Sequence, residues 1–227
     1  MVDQRVLELV DLKSLSVDII ELLHKFYSYR DISMMTNLPP SMLSRYLRKH
    51  SQPSKPIALK IIEIFIKNNE IKEKMANLIR NDPDTLYEKT VYNPLSLLTI
   101  SKNFELLTQT DAVIAFNDPS IALAIKLREL INKRLLVLYF APLIPASHAE
   151  CFSIIQAPVN VLVCTRYSSL RSRIDSALLV FPLTMSINAF NTIIGRVRDA
   201  LRIKNITPLI ILCREELKKR DNVICLL

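Results

Sequence analysis

Two serines and three cations lie close together in this chain, at Ser41, Ser44, Arg45, Arg48 and Lys49. On a helix that turns Leu43 and Tyr46 inward, all five sit on the outer face. Such a set suits a polyanion. Arg45 can fork onto the O6 and N7 atoms of guanine, and the two hydroxyls can bond bases or phosphates. Arg48, Lys49, Lys55 and Arg30 are candidates to neutralise the backbone phosphates of double-stranded DNA. Between residues 28 and 60 there are six Lys or Arg against one acid. The whole chain of 227 residues carries 30 Lys and Arg against 22 Asp and Glu, a net charge of +8, which favours an acidic partner. The bland alternative is a helical hairpin whose basic face is simply solvated, and spacing alone does not separate the two.

These side chains need a helical hairpin to hold them. Residues 29–49 read YRDISMMTNLPPSMLSRYLRK. Ile32 supplies an inner apolar residue, and Ser33 is small where two helices must approach. Asn37 tolerates positive φ better than any residue but glycine. Leu38 plugs the turn, and Pro39-Pro40 starts a second helix with φ already set. That is the order of a helix-turn-helix. Around it, residues 1–80 read as helices throughout, with Val17, Ile20 and Leu23, then Ile57, Ile61, Ile64 and Phe65, then Ile71, Met75 and Leu78 at helical spacing.

Residues 81–94 contain two prolines and few apolar side chains and read as a linker. Beyond them, helices predicted at 94–108, 120–131 and 187–203 alternate with apolar runs at 112–116, 135–140, 159–165, 177–181 and 208–213. Residues 223–227 read as a last edge strand. Continuous apolar strands between amphipathic helices predict a parallel sheet covered on both faces. The expected organisation is α/β: an all-helical domain at 1–80, the linker, and an α/β domain at 95–227.

Several chemistries are excluded or disfavoured. Glycine occurs once, at Gly195, where a chain of this length would ordinarily hold about 16. That rules out a P-loop, a dinucleotide-binding turn and a nucleophile elbow, all of which need several glycines. Cys151, Cys164, Cys213 and Cys225 form no C-x-x-C pair. The last three lie in apolar runs and read as buried, reduced thiols. His24, His50 and His148 are too few and scattered for a metal cluster or a Ser/His/Asp set, and His50 reads as solvated. Glu215-Glu216 and Asp82/Asp84 sit in surface contexts. No catalytic residue, metal or cofactor is therefore expected. The longest apolar run, 135–146, falls short of the roughly 20 residues of a membrane helix. The charged N-terminus lacks a signal-peptide core. The reading is a soluble, cytoplasmic chain with no membrane partner.

Two resemblances refine this. Leu43-Ser44-Arg45-Tyr46 is similar to the recognition helix of many repressor-like regulators. The order of elements from Asp111 onward resembles type I phosphoribosyltransferases. The whole chain resembles archaeal transcriptional regulators that fuse an N-terminal helix-turn-helix to an orotate-phosphoribosyltransferase-like domain, over roughly residues 15–60 and 95–215. In that likeness DAVIAFNDPSIALAIKLREL (111–130) supplies a strand, a pyrophosphate loop and a helix, with Asn117-Asp118-Pro119-Ser120 as the loop. Residues 135–140 supply the next strand. LLVFPLTMS (178–186) takes the place of the family's phosphoribosyl signature. Its acidic pair, which would bind the ribose hydroxyls, falls on Phe181-Pro182, and the glycines of its turn are absent.

Those departures argue against transferase chemistry, because the donor needs carboxylates and bare backbone N–H groups to hold it. Asp118 would repel a diphosphate. Asn117, Ser120, Thr184, Ser186 and Asn188 remain candidates to line a small-molecule pocket, while ordinary helix capping is the preferred reading of Ser186. The cluster RYSSLRSR (166–173) is either a second nucleic-acid contact or a solvated loop. The expectation is a DNA-binding transcriptional regulator whose silent phosphoribosyltransferase-like domain makes a homodimer and possesses room for a small-molecule effector. The alternatives are an architectural, chromatin-type DNA binder and an enzyme with a remodelled α/β site.

Overall fold

The computed structural model describes residues 3–140, 149–155, 161–166, 174–183, 186–220 and 222–227. These form two compact units, Met1–Phe104 and Glu105–Leu227.

The first unit is helical: α1 (Gln4–Leu9), α2 (Leu12–His24), α3 (Tyr29–Thr36), α4 (Pro40–Leu47), α5 (Lys55–Lys67), α6 (Asn69–Asn81), a 3-10 turn at Pro83–Tyr87, and the first part of α7 (Lys89–Gln109). Polar side chains cap α1, α2, α3 and α6. Asp11 accepts from the N–H groups of Lys13 and Ser14, and Asn68 from that of Ile71. Ser28 and Asp31 form a reciprocal capping box, which holds the Asp31 carboxyl below the usual range. The core is built on α2 packed against α5: Leu15, Ile19, Ile20, Leu22 and Leu23 with Ala58, Ile61, Ile62 and Phe65, all buried.

Residues 81–94 differ from the linker expected of them. They make the 3-10 turn and the opening of α7, and Leu86 and Val91 are completely buried. Two prolines misled the reading. Pro83 stands in the first turn of its short helix, and Pro94 is accommodated inside α7. The division between units falls at 104/105, directly after Asn103 (φ −134°, ψ 27°), where α7 leaves helical geometry.

The second unit contains β1 (Ala112–Phe116), α8 (Ile121–Ile131), β2 (Arg134–Phe140), β3 (Ala149–Ile155), β4 (Val161–Arg166), β5 (Ser176–Leu183), α9 (Ile187–Leu201), β6 (Asn205–Leu212), α10 (Glu215–Lys218) and β7 (Ile224–Cys225). They form a seven-stranded sheet in the order β3-β4-β2-β1-β5-β6-β7. The strands from β2 to β7 in that order are parallel, with helices packed on them: α8 on β1 and β2, α9 on β6. All five residues of β1 are buried, as a central parallel strand requires. Asp111 pins the register at the start of β5. Its carboxylate accepts from the N–H groups of Asp175 (3.0 Å) and Ser176 (2.9 Å), which holds its pKa down.

The run at 159–165 was expected to join the parallel sheet. Its described part, β4, is antiparallel to both β2 and β3. The strand β3 was not anticipated, and without it nothing marks a hairpin.

The cysteines also correct the expectation of reduced thiols. Cys151 and Cys164 are register partners across β3 and β4, with Cα atoms 4.1 Å apart, and they are disulfide-bonded. Cys213, just after β6, is bonded to Cys225 of β7 at a Cα separation of 5.6 Å. Both bonds follow from strand pairing that hydrophobic runs do not reveal. No helix among the described residues is long and apolar enough to cross a membrane.

Two predictions follow from these features. Replacing Cys213 and Cys225 together by serine removes a bond closing a short loop, and should lower stability by about 2–4 kcal/mol in urea titration. An unchanged midpoint would show that the bond is dispensable. Arg202 ends α9 in the left-handed region at φ 52°, so Arg202→Gly should relieve about 1 kcal/mol of strain and raise the melting temperature by roughly 2–4 °C.

Candidate functional site

The basic face is assembled by α3 and α4. Asn37 takes the left-handed conformation between them (φ 54°, ψ 39°), so the chain reverses without glycine. Leu38 is buried beneath the turn, and Ile32, Leu43 and Tyr46 are buried below the two helices. Pro39 caps α4 and Pro40 is its first residue. With Leu43 and Tyr46 fixed inward, Ser41 and Arg45 are exposed and Ser44 is half-buried on the opposite face. Arg48 and Lys49 follow, both exposed. Lys49 is itself left-handed (φ 60°), and the turn is closed by hydrogen bonds from Lys49 N to Tyr46 O and from His50 N to Arg45 O, each 3.0 Å. Arg30 and Lys55 are exposed at the starts of α3 and α5. Among the described residues, no carboxylate lies within ion-pair distance of Arg45, Arg48, Lys49 or Lys55.

The flank of α4 also borders a cavity of about 650 Å³, lined by Ser14, Asp18, Glu21, Tyr46, Lys49 and Lys89 among others. Asp18 is its unusual member. Only 7% of its side chain is exposed, it accepts from Nδ2 of Asn93 at 2.7 Å, and Lys89 Nζ is 3.5 Å away. Burial nevertheless pushes its carboxyl up from the ordinary value. Sequence reading missed this group because its residues come from three distant segments.

The second candidate region is the carboxyl edge of the sheet, where parallel α/β folds bind ligands. Asn117 is exposed there. Ser120, by contrast, is completely buried, and its hydroxyl and N–H both bond Asp118 Oδ1, at 2.6 and 2.8 Å. It is therefore not a free ligand-binding side chain, because the turn consumes its donors. Ser186 accepts from the N–H of Ala189 at 3.3 Å, the capping alternative, while Asn188 is exposed in the first turn of α9. Thr184 lies outside the described residues, as do 167–173 of the arginine cluster. Phe181, at the place of the signature's acidic pair, is 2% exposed. Its ring stands 5.8 Å from that of Phe116 and 5.5 Å from that of Phe190. Among the described residues of this edge, Phe181 is committed to packing and Ser120 to its own turn. Among the described residues, no group of three or more His, Cys, Asp or Glu could hold a metal ion.

Asp118 gives the region a pH signature. Burial raises its carboxyl above the ordinary value, with the Ser120 bonds opposing that shift. Between the unfolded and folded pKa values the folded chain holds the extra proton, so its contribution to stability declines as pH rises through that window. Asp118→Asn keeps an acceptor for Ser120 and should be more stable than the parent at neutral pH. The difference should shrink as pH falls from the raised value to the ordinary aspartate value, and stay constant below it. Denaturant titrations at several pH values test this, and parallel curves for the two proteins would contradict it.

No family model matches the chain, and no curated protein matches it. Solved structures do. Adenine phosphoribosyltransferase from Saccharomyces cerevisiae, crystallised with an imino-altritol bisphosphate and adenine, aligns with a TM-score of 0.50 and 11% identity, over 62% of this chain and 81% of that one. The enzyme from Giardia lamblia with 9-deazaadenine gives a TM-score of 0.48 and 12% identity, over 63% and 82% of the two chains. At such identities the likeness is one of fold. The chain is a mixed α/β protein with a phosphoribosyltransferase-like parallel sheet flanked by helices, preceded in sequence by a helical region.

Proposed function

We propose that this protein is a DNA-binding transcriptional regulator. The observation that carries the reading is α4, a helix fixed by Leu43 and Tyr46 whose outer face offers Ser41, Ser44 and Arg45, with the cations Arg48 and Lys49, which have no carboxylate partner among the described residues, at its end. In a helix-turn-helix the N-terminal part of the second helix reads base edges, while flanking cations hold phosphates. Ser41, Ser44 and Arg45 take the first role. Arg30, Arg48, Lys49 and Lys55 take the second. The α/β unit serves as a dimerisation module, so that two heads meet a two-fold DNA site. A small effector at its carboxyl edge would meet Asn117 and Asn188, both exposed.

A second reading is enzymatic, and the fold likeness to a phosphoribosyltransferase favours it. Against it stand Phe181 in the core where a carboxylate is needed, and Asp118 bonded within its own turn. A thermal shift with phosphoribosyl diphosphate and magnesium would revive it.

Fluorescence anisotropy with a duplex from upstream of the gene and a shuffled control, at two salt concentrations, tests the leading reading. Preference for the native duplex is expected. Equal binding to both would indicate an architectural role, and no binding would remove the DNA reading altogether. Arg45→Ala should cost about 1–3 kcal/mol on the native duplex and relax specificity at one position. Arg48→Ala should weaken both duplexes alike and reduce the salt slope by about 1. Equal affinity of Arg45→Ala and the parent for the native duplex would overturn the base-contact assignment.

A further inference from the structure

The chain uses glycine once, and not where backbone geometry favours it. The left-handed residues among those described are Asn37, Lys49, Asn132 and Arg202, all of which carry a Cβ. Gly195 instead lies inside α9 without positive φ, a position where alanine is the better helix former. A Cβ built on Gly195 would meet no atom within 4 Å. Neither the backbone nor the packing of this chain calls for a glycine there. What remains is close approach by something outside the chain.

A cavity of about 230 Å³ opens beside it. Asn191, Ile194, Gly195 and Arg198 line one wall, spaced as one face of α9. Arg220 and Asn222, just before β7, make the other, with Phe190 and the start of β6 beneath. The Arg220 guanidinium donates to Asn191 Oδ1 at 3.2 Å, which orients the fork and leaves its other donors uncommitted among the described residues. Among the described residues Arg198 pairs only with the adjacent Asp199, at 3.2 Å and with both side chains well exposed, a weak tie. No lining residue is acidic. The cavity is smaller than those that hold drug-sized ligands. It lies at the amino end of β6, away from the carboxyl-edge turns at Asp118 and Ser186.

We propose that this cavity binds a compact oxyanion, phosphate or a small phosphomonoester, gripped by Arg198 and Arg220 and seated against the bare backbone of Gly195. Two guanidinium forks match the tetrahedral oxygens. The amides of Asn191 and Asn222 complete the rim, and the missing Cβ supplies the clearance.

The test uses the full chain and inorganic phosphate, by thermal melting and calorimetric titration, with chloride at matched ionic strength as the reference. Saturable phosphate binding that raises the melting temperature is expected. Gly195→Leu, which fills the cavity, and Arg220→Gln should each weaken it at least about tenfold, with circular dichroism confirming that both variants fold. Ser186→Ala at the opposite edge should leave it unchanged. Equal effects of phosphate and chloride would overturn the proposal, as would full phosphate affinity in Gly195→Leu. Loss of binding in Ser186→Ala alone would move the anion to the carboxyl edge and equally overturn it. A change of molecular mass in Gly195→Leu, without phosphate binding by the parent, would assign the glycine to a contact with a second copy instead.

Discussion

Turns in this protein are made by residues that carry a side chain, and much of its architecture answers to that constraint. A left-handed residue other than glycine costs about 1–2 kcal/mol, less for asparagine. The chain accepts that cost after α4, α8 and α9 and fixes each reversal with backbone hydrogen bonds. Lys49 and His50 bond back to Tyr46 and Arg45, Asn132 and Lys133 to Glu129 and Arg128, and Arg202 and Ile203 to Asp199 and Arg198. Such closures satisfy the last carbonyls of a helix and fix the direction in which the chain departs. The basic surface at the end of α4 is therefore presented by a defined turn rather than by a frayed end.

The same constraint acts at the carboxyl edge of the sheet. A loop that cradles phosphate must offer bare N–H groups to solvent. In the loop after β1, a side chain takes one of them, because Asp118 accepts the N–H and the hydroxyl of Ser120. Within β5, Phe181 packs in an aromatic row with Phe116 and Phe190. The order of strands and helices does not depend on these loops, because it rests on buried apolar runs and parallel pairing. Fold and chemistry are separable here, and a phosphoribosyltransferase-like shape is no statement about transfer.

How much of this was legible in the sequence depends on the range of the interactions involved. The hairpin of α3 and α4 was readable because Asn37, Pro40, Leu43 and Tyr46 act within a few residues of one another. Strands β1, β5 and β6 were readable because burial on both faces leaves unbroken apolar runs, and β2 because its run is apolar even where Leu135, Val137 and Tyr139 are only half-buried. What stayed hidden depends on partners distant in sequence. The strand β3 reads AECFSII, with a charge and a serine that obscure it, and its pairing with β4 is what brings Cys151 to Cys164. The helical start of α7 was masked by prolines whose local signal is strong, while burial of Val91 is a tertiary fact. Ser120 looked free because its partner, Asp118, was read for its charge and not for its turn.

The cations of α4 separate into those that helix electrostatics explains and one that it does not. Arg45 lies in the last turn and Arg48 at the cap, where any cation gains about 0.3–1 kcal/mol from the terminal carbonyls. Those two would be favourable on a helix that touched nothing. Lys49 is different, because its left-handed conformation costs more than that interaction returns. Asparagine fills the same conformation more cheaply at positions 37 and 132. A lysine there adds charge at the expense of stability, which is the exchange expected of a residue placed for an anionic partner. Arg202 shows that such an exchange also occurs away from the α4 surface, so strain by itself does not identify a contact. What distinguishes Lys49 is its neighbourhood: Arg45 and Arg48 on the same exposed helix end, with no carboxylate in reach of the three among the described residues. Like charges grouped in that way repel one another across an exposed surface, a repulsion that dissolved salt screens.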